Sequence, residues 1–100
     1  MPETGIRERV IEEIRALAEK YNIGKVILFG SRARGDYGER SDIDLAVSGC
    51  TRSQYTRFAL DVDEETYTLL SFDVVWLDGP VSGELRESIQ REGVVLYEKE

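Results

Sequence analysis

Three aspartates and a glycine-serine turn carry the chemistry this sequence can do. Asp42 and Asp44 stand one residue apart in Ser41-Asp42-Ile43-Asp44-Leu45, at the head of an apolar run from Asp42 to Val47. In a strand, side chains at i and i+2 share a face. The two carboxylates therefore point together, roughly 7 Å apart at the backbone, while Ile43, Leu45 and Val47 point into a core. Asp73 stands inside a second apolar run, Phe72-Asp73-Val74-Val75-Trp76-Leu77. A charge in such a strand is costly unless it is paired or bound to metal. Two readings are open for it: a structural salt bridge or exposed edge position, or a third carboxylate beside Asp42 and Asp44. Neighbouring strands in register would put all three on one face, which Val75 and Leu77 would share. Two carboxylates about 5 Å apart repel by roughly 3 kcal/mol at an effective dielectric of 20. Three so placed need a cation or raised pKa values. Mg²⁺ suits them, because it takes oxygen ligands and keeps waters and phosphate oxygens in its shell. The chain has no histidine, hence no imidazole base and no zinc site of the usual kind.

The turn Gly30-Ser31 follows the apolar run Lys25–Phe29 and opens a basic, glycine-rich loop, Arg32-Ala33-Arg34-Gly35. Gly30 permits a sharp turn and close approach of another group to the backbone. Ser31 sits where a short helix can begin. Its hydroxyl and the N–H groups there could hold a phosphate, or Ser31 could simply cap the helix. Arg32 and Arg34 could reach phosphate oxygens as forked donors, or be surface charges balancing Asp36 and Glu39.

The elements around these residues follow from periodicity. Ile6, Val10, Ile14, Leu17 and Tyr21 recur at three- and four-residue spacing, which predicts an amphipathic helix of about five turns. Thr4 is its expected cap, and Asn22 and Gly24 its left-handed end. Lys25–Phe29 reads as a first strand and Asp42–Val47 as a second. Thr51–Leu70 reads as a helix with Tyr55, Phe58, Ala59, Val62 and Leu69 or Leu70 inward and a solvated acidic run at Asp61 to Glu65. Phe72–Leu77 is a third strand, Asp78-Gly79-Pro80 a turn, Ser82–Arg91 a helix stopped by Gly93, and Val94–Tyr97 a last strand. The order predicts an α+β fold, a mixed sheet of about four strands with helices packed mainly on one face.

Composition bounds the partners. One hundred residues suit one domain, 1–100, with a real core. The net charge is −7, against a large nucleic-acid footprint, though not against a nucleotide brought in with Mg²⁺. Cys50 is alone and forms no internal disulfide, which points to a reducing compartment. No apolar run approaches the ~20 residues of a membrane span. The start, Met1-Pro2-Glu3, has no signal-peptide pattern, so a cytoplasmic location is expected.

Taken together, Gly30-Ser31, Ala33, Gly35 and Ser41-Asp42-Ile43-Asp44-Leu45 resemble the signature of the DNA polymerase β-like nucleotidyltransferase superfamily. The short length and the later Asp73 strand resemble its minimal nucleotidyltransferase (MNT) branch, which includes antitoxins encoded beside HEPN-domain toxins. The resemblance runs from the first strand to Tyr97. It implies a polymerase β-like fold with Gly30, Ser31, Arg32 and Ser41 around the nucleotide. It further implies that Asp42 and Asp44 bind two metal ions, Mg²⁺ with Mn²⁺ as substitute, and that Asp73 completes the second metal site. The implied activity is transfer of AMP from ATP to a hydroxyl, foremost a tyrosine of a cognate HEPN toxin. A non-enzymatic antitoxin that masks its HEPN partner by binding is the alternative, and transfer to a small molecule a weaker one. Nucleotide base, acceptor, number of groups transferred and oligomeric state are not written in the sequence.

Overall fold

The computed structural model describes residues 3–100; the leader reading at Met1 and Pro2 lies outside them. Helix α1, Glu8–Lys20, buries Val10, Ile11, Ile14, Leu17 and Ala18 as one stripe. It is shorter than its apolar spacing predicts. Gly5 adopts φ 70°, which breaks the helical path, and Arg7 takes the N-cap position without a side-chain cap. Thr4 is therefore not the cap: its Oγ1 accepts from the Ile6 N–H at 3.2 Å, and the residue is buried. At the other end Asn22 is left-handed at φ 57° as expected. Gly24 serves a different need. A Cβ there would sit 2.9 Å from Gly49 Cα, so Gly24 lets the ends of two strands touch.

Those strands are β1, Lys25–Phe29, and β2, Ile43–Ser48, which pair antiparallel. The short helix α2, Ser31–Arg34, follows the Gly30 turn between them. Helix α3, Arg52–Glu65, opens with a capping box in which Thr51 and Gln54 satisfy each other's backbone N–H. It stops short of Leu70. Thr66, Tyr67 and Thr68 are poor helix formers, and Thr66 already has extended dihedrals. The Tyr67 N–H donates instead to the Glu13 carboxylate on α1. Leu70 packs on the core, whereas Leu69 is fully exposed. Strand β3, Phe72–Trp76, then runs parallel to β2, with α3 as the crossover that parallel pairing requires. Helix α4, Gly83–Glu92, is capped by the Ser82 hydroxyl. Strand β4, Val94–Glu98, pairs antiparallel with β1.

The sheet order is β3-β2-β1-β4. Val26 and Leu28 lie opposite Val47 and Leu45, and with Ile43 they form one fully buried face against α1 and α3. The alternate residues face the other way. Ile27 lies there against Gly93 at the end of α4, so α1 and α3 share one face and α4 touches the other. Among the described residues no helix is long and apolar enough to cross a membrane.

Candidate active site

The carboxylates gather where β1 ends and β2 and β3 begin. Antiparallel pairing sets Phe29 opposite Asp44. Parallel pairing sets Asp44 directly opposite Asp73, and neighbouring strands lie about 4.8 Å apart. Asp44 and Asp73 therefore share the face turned away from the core. Asp42 lies one residue before β2 and is exposed, as is Asp73; Asp44 is half-buried. Asp42 lines a groove of about 390 Å³ with Arg40, Leu69, Leu70 and Ser71. A larger groove of about 840 Å³, which includes Ile6, Val10, Tyr37 and Tyr67, meets it at Leu69 and Leu70.

Gly30 is positioned by the end of β1 and bent by its own backbone, φ 77° and ψ −158°. A Cβ at this position would collide with Asp44 Oδ2. The bare glycine is what lets the Asp44 carboxylate lie against the turn. Gly30→Ala should therefore destabilise the fold by about 1–3 kcal/mol from this backbone conformation alone, which is open essentially only to glycine, and displace Asp44 besides. Denaturant titration reads the first effect. A variant as stable as the parent would contradict the geometry.

The electrostatics single out Asp44. Its carboxyl is pushed above the ordinary value of 3.8, first by burial, then by the charges of Asp73 and Asp42, with Arg34 pulling the other way. The sign for stability follows. Between the ordinary and the raised value, the folded chain holds a proton that the unfolded chain has released. Stability then falls as pH rises through that window, and the deficit persists above it. Without metal, the denaturation midpoint is expected to drop from about pH 4 towards neutrality on account of this group. Asp44→Asn should flatten that segment of the profile and raise the midpoint at neutral pH. An unchanged profile in the variant would contradict the assignment.

The donor set, Asp44 with the two carboxylates whose charge it senses, suits a hard divalent cation. As the side chains stand, no three His, Cys, Asp or Glu groups among the described residues converge closely enough to hold a metal ion.

The remaining sequence-derived residues divide. Ser31 is half-buried at the start of α2, next to Gly30. The Ser41 hydroxyl accepts from the Gly38 N–H at 2.8 Å and so closes a turn in the loop before Asp42. Arg32 corrects the expectation of a phosphate-facing fork. Its side chain is buried, and its guanidinium donates to the carbonyls of Thr4, Glu39 and Ser41. Arg34 stays outside, donating to Asp36 at 3.2 Å and Glu92 at 2.9 Å. Sequence reasoning missed the Glu92 partner on α4 and the carbonyl cage of Arg32. The first is 58 residues away in the chain; the second consists of backbone groups that every residue type carries.

Comparison with known proteins places this geometry. The family model described as polymerase beta, nucleotidyltransferase, matches residues 12–100. A protein of Methanocaldococcus jannaschii named "putative protein adenylyltransferase" is 36% identical over 102 residues, spanning 90% of this chain and 97% of the relative. A solved structure named "putative minimal nucleotidyltransferase" is 31% identical with a TM-score of 0.64, covering 84% of this chain and 86% of that one. A structure of the tri-AMPylated Shewanella oneidensis HEPN toxin in complex with MNT antitoxin aligns at a TM-score of 0.66 and 20% identity. That alignment covers 90% of this chain and 71% of the matched one, and its likeness is one of fold. With the Gly30 turn, Asp42 and Asp44 at the head of β2 and Asp73 beside them on β3, the chain belongs to the polymerase β-type nucleotidyltransferases, in their minimal branch.

Proposed function

We propose that this nucleotidyltransferase moves AMP from ATP to a hydroxyl, most naturally a tyrosine, of a HEPN-domain partner protein. The observation that carries the reading is the register of Asp44 against Asp73 beside the Gly30-Ser31 turn. It joins a phosphate-approach point and three carboxylates at one end of the sheet. The adenylyl group and the protein acceptor are supported by the name of the 36%-identical relative. The HEPN partner is supported by the complex of a HEPN toxin with MNT antitoxin, whose fold this chain shares.

In this reading Asp42, Asp44 and Asp73 would hold the divalent ions, Mg²⁺ or Mn²⁺, with Asp73 completing the second site. When bound, they supply charge neutralisation at the triphosphate and a more acidic acceptor hydroxyl. The chain's own groups do the rest. Gly30 leaves room for the Asp44 carboxylate against the turn, and Ser31 beside it offers a hydroxyl to a phosphate. Asp44, whose carboxyl is raised by burial and its neighbours, is the carboxylate whose charge a bound cation would stabilise most. Asp73 is exposed on β3 and receives or orients the proton of the acceptor hydroxyl. The acceptor oxygen forms its bond to the α-phosphorus as the bond to pyrophosphate breaks. Positioning and charge stabilisation account for most of such catalysis, which a small chain can supply.

The test is label position. With the co-expressed HEPN partner, ATP labelled at the α-phosphate should label the partner, and ATP labelled at the γ-phosphate should not. Label from the γ-position, or from neither, would refute adenylyl transfer.

A further inference from the structure

We infer that Arg32 is a positioning residue, one that fixes the loop delivering Asp42 to the site. Arg32 is 2% exposed as a residue. Its Nε donates to the Ser41 carbonyl at 3.0 Å, Nη1 to the Thr4 carbonyl at 2.9 Å and Nη2 to the Glu39 carbonyl at 3.3 Å. Its Cζ lies 4.8 Å from the centre of the Tyr37 ring. Tyr37 in turn meets the N-terminal segment, since a Cβ on Gly5 would stand 2.5 Å from its Cε2.

Three features make this a device for placement. The Ser41 carbonyl belongs to the peptide plane that contains the Asp42 nitrogen, so the Nε bond orients the backbone immediately before the carboxylate. The three acceptors come from two separated segments, 39–41 and Thr4, so a single side chain ties the loop to the start of the chain. Burying a cation without a carboxylate partner is expensive, and here, among the described residues, three carbonyl dipoles and the face of the Tyr37 ring meet it. Only a planar fork reaches three carbonyls while stacking on a ring; a lysine ammonium is a point charge on a flexible stem.

Amide hydrogen exchange on the full, metal-free chain tests this without reference to catalysis. The Ser41 N–H bonds the Gly38 carbonyl at 3.2 Å and the Ile43 N–H the Ser71 carbonyl at 2.9 Å, so both report on the loop. In the parent protein both should be protected. In Arg32→Lys both should exchange about tenfold faster, as local opening allows, while Val26, Leu28 and Leu45 stay slow. The apparent affinity for Mn²⁺–ATP should fall about tenfold, the usual effect of changing an outer-shell partner. An unprotected Ser41 amide in the parent would overturn the inference. So would an Arg32→Lys protein with parental exchange and parental Mn²⁺–ATP affinity. Acceleration spread evenly through the core strands, with parental affinity in the folded fraction, would assign Arg32 to general stability and overturn it too. Should Arg32→Lys not fold, Tyr37→Leu decides, because it removes the stacking ring and keeps the fork: loosening confined to 38–43 supports the inference, and parental exchange refutes it. The nucleotide arm rests on the proposed function. If the parent binds no Mn²⁺–ATP, that function falls, and the exchange arm still decides the role of Arg32.

Discussion

Asp73→Asn is expected to abolish transfer while leaving the partner complex intact. Asp73 is on β3, opposite Asp44 but on a different strand from the Asp42 and Asp44 pair. It is exposed, so its loss empties no core position. Assigned to the acceptor side, it should matter to the reacting hydroxyl more than to the triphosphate. A fall in kcat of about 10³ corresponds to about 4 kcal/mol of transition-state stabilisation. ATP affinity should fall less than in Asp42→Asn. Single-turnover kinetics with purified partner gives the rate, and co-purification gives the binding. If neutralisation of a toxin partner requires modification, cells carrying that toxin should not survive on Asp73→Asn. Equal survival with parent and variant would favour masking by binding alone.

Asp44→Asn and Asp42→Asn should remove metal-dependent ATP binding. Each takes one charged oxygen ligand from a set of three, and a hard cation has little else to hold it there. Calorimetric titration with and without Mg²⁺ reads the effect. Equal affinity in the parent with and without metal would contradict the site. The stability change has the opposite sense. Asp44 is disfavoured as a charge in the folded chain, so its neutral replacement should be at least as stable as the metal-free parent. A large fall in melting temperature would mean that the carboxylate is structural.

Much of this arrangement was legible because strand periodicity is rigid. Alternation placed Asp42 and Asp44 away from Ile43, Leu45 and Val47, and those three are indeed fully buried. The sequence could state only conditionally that Asp73 would join them, because strand adjacency depends on the α3 crossover and not on any local pattern. The ends of helices were less legible. Thr4 looked like a cap, yet Gly5 in a left-handed turn moved the helix start to Glu8. The expected continuation of α3 to Leu70 failed because Tyr67 bonds Glu13 on another helix, a contact between segments far apart in sequence. Arg32 was the least legible residue. An arginine after a glycine-serine turn looks like a phosphate ligand, and nothing in residue types reveals that three backbone carbonyls enclose it.

The central claim, adenylyl transfer to a partner protein, is tested most directly by intact-mass spectrometry of the HEPN partner co-expressed with this chain. The expected result is a gain matching one or more AMP groups, mapped to tyrosine, present with the parent and absent with Asp73→Asn. A partner that is fully silenced by the parent and carries no added mass would contradict the account.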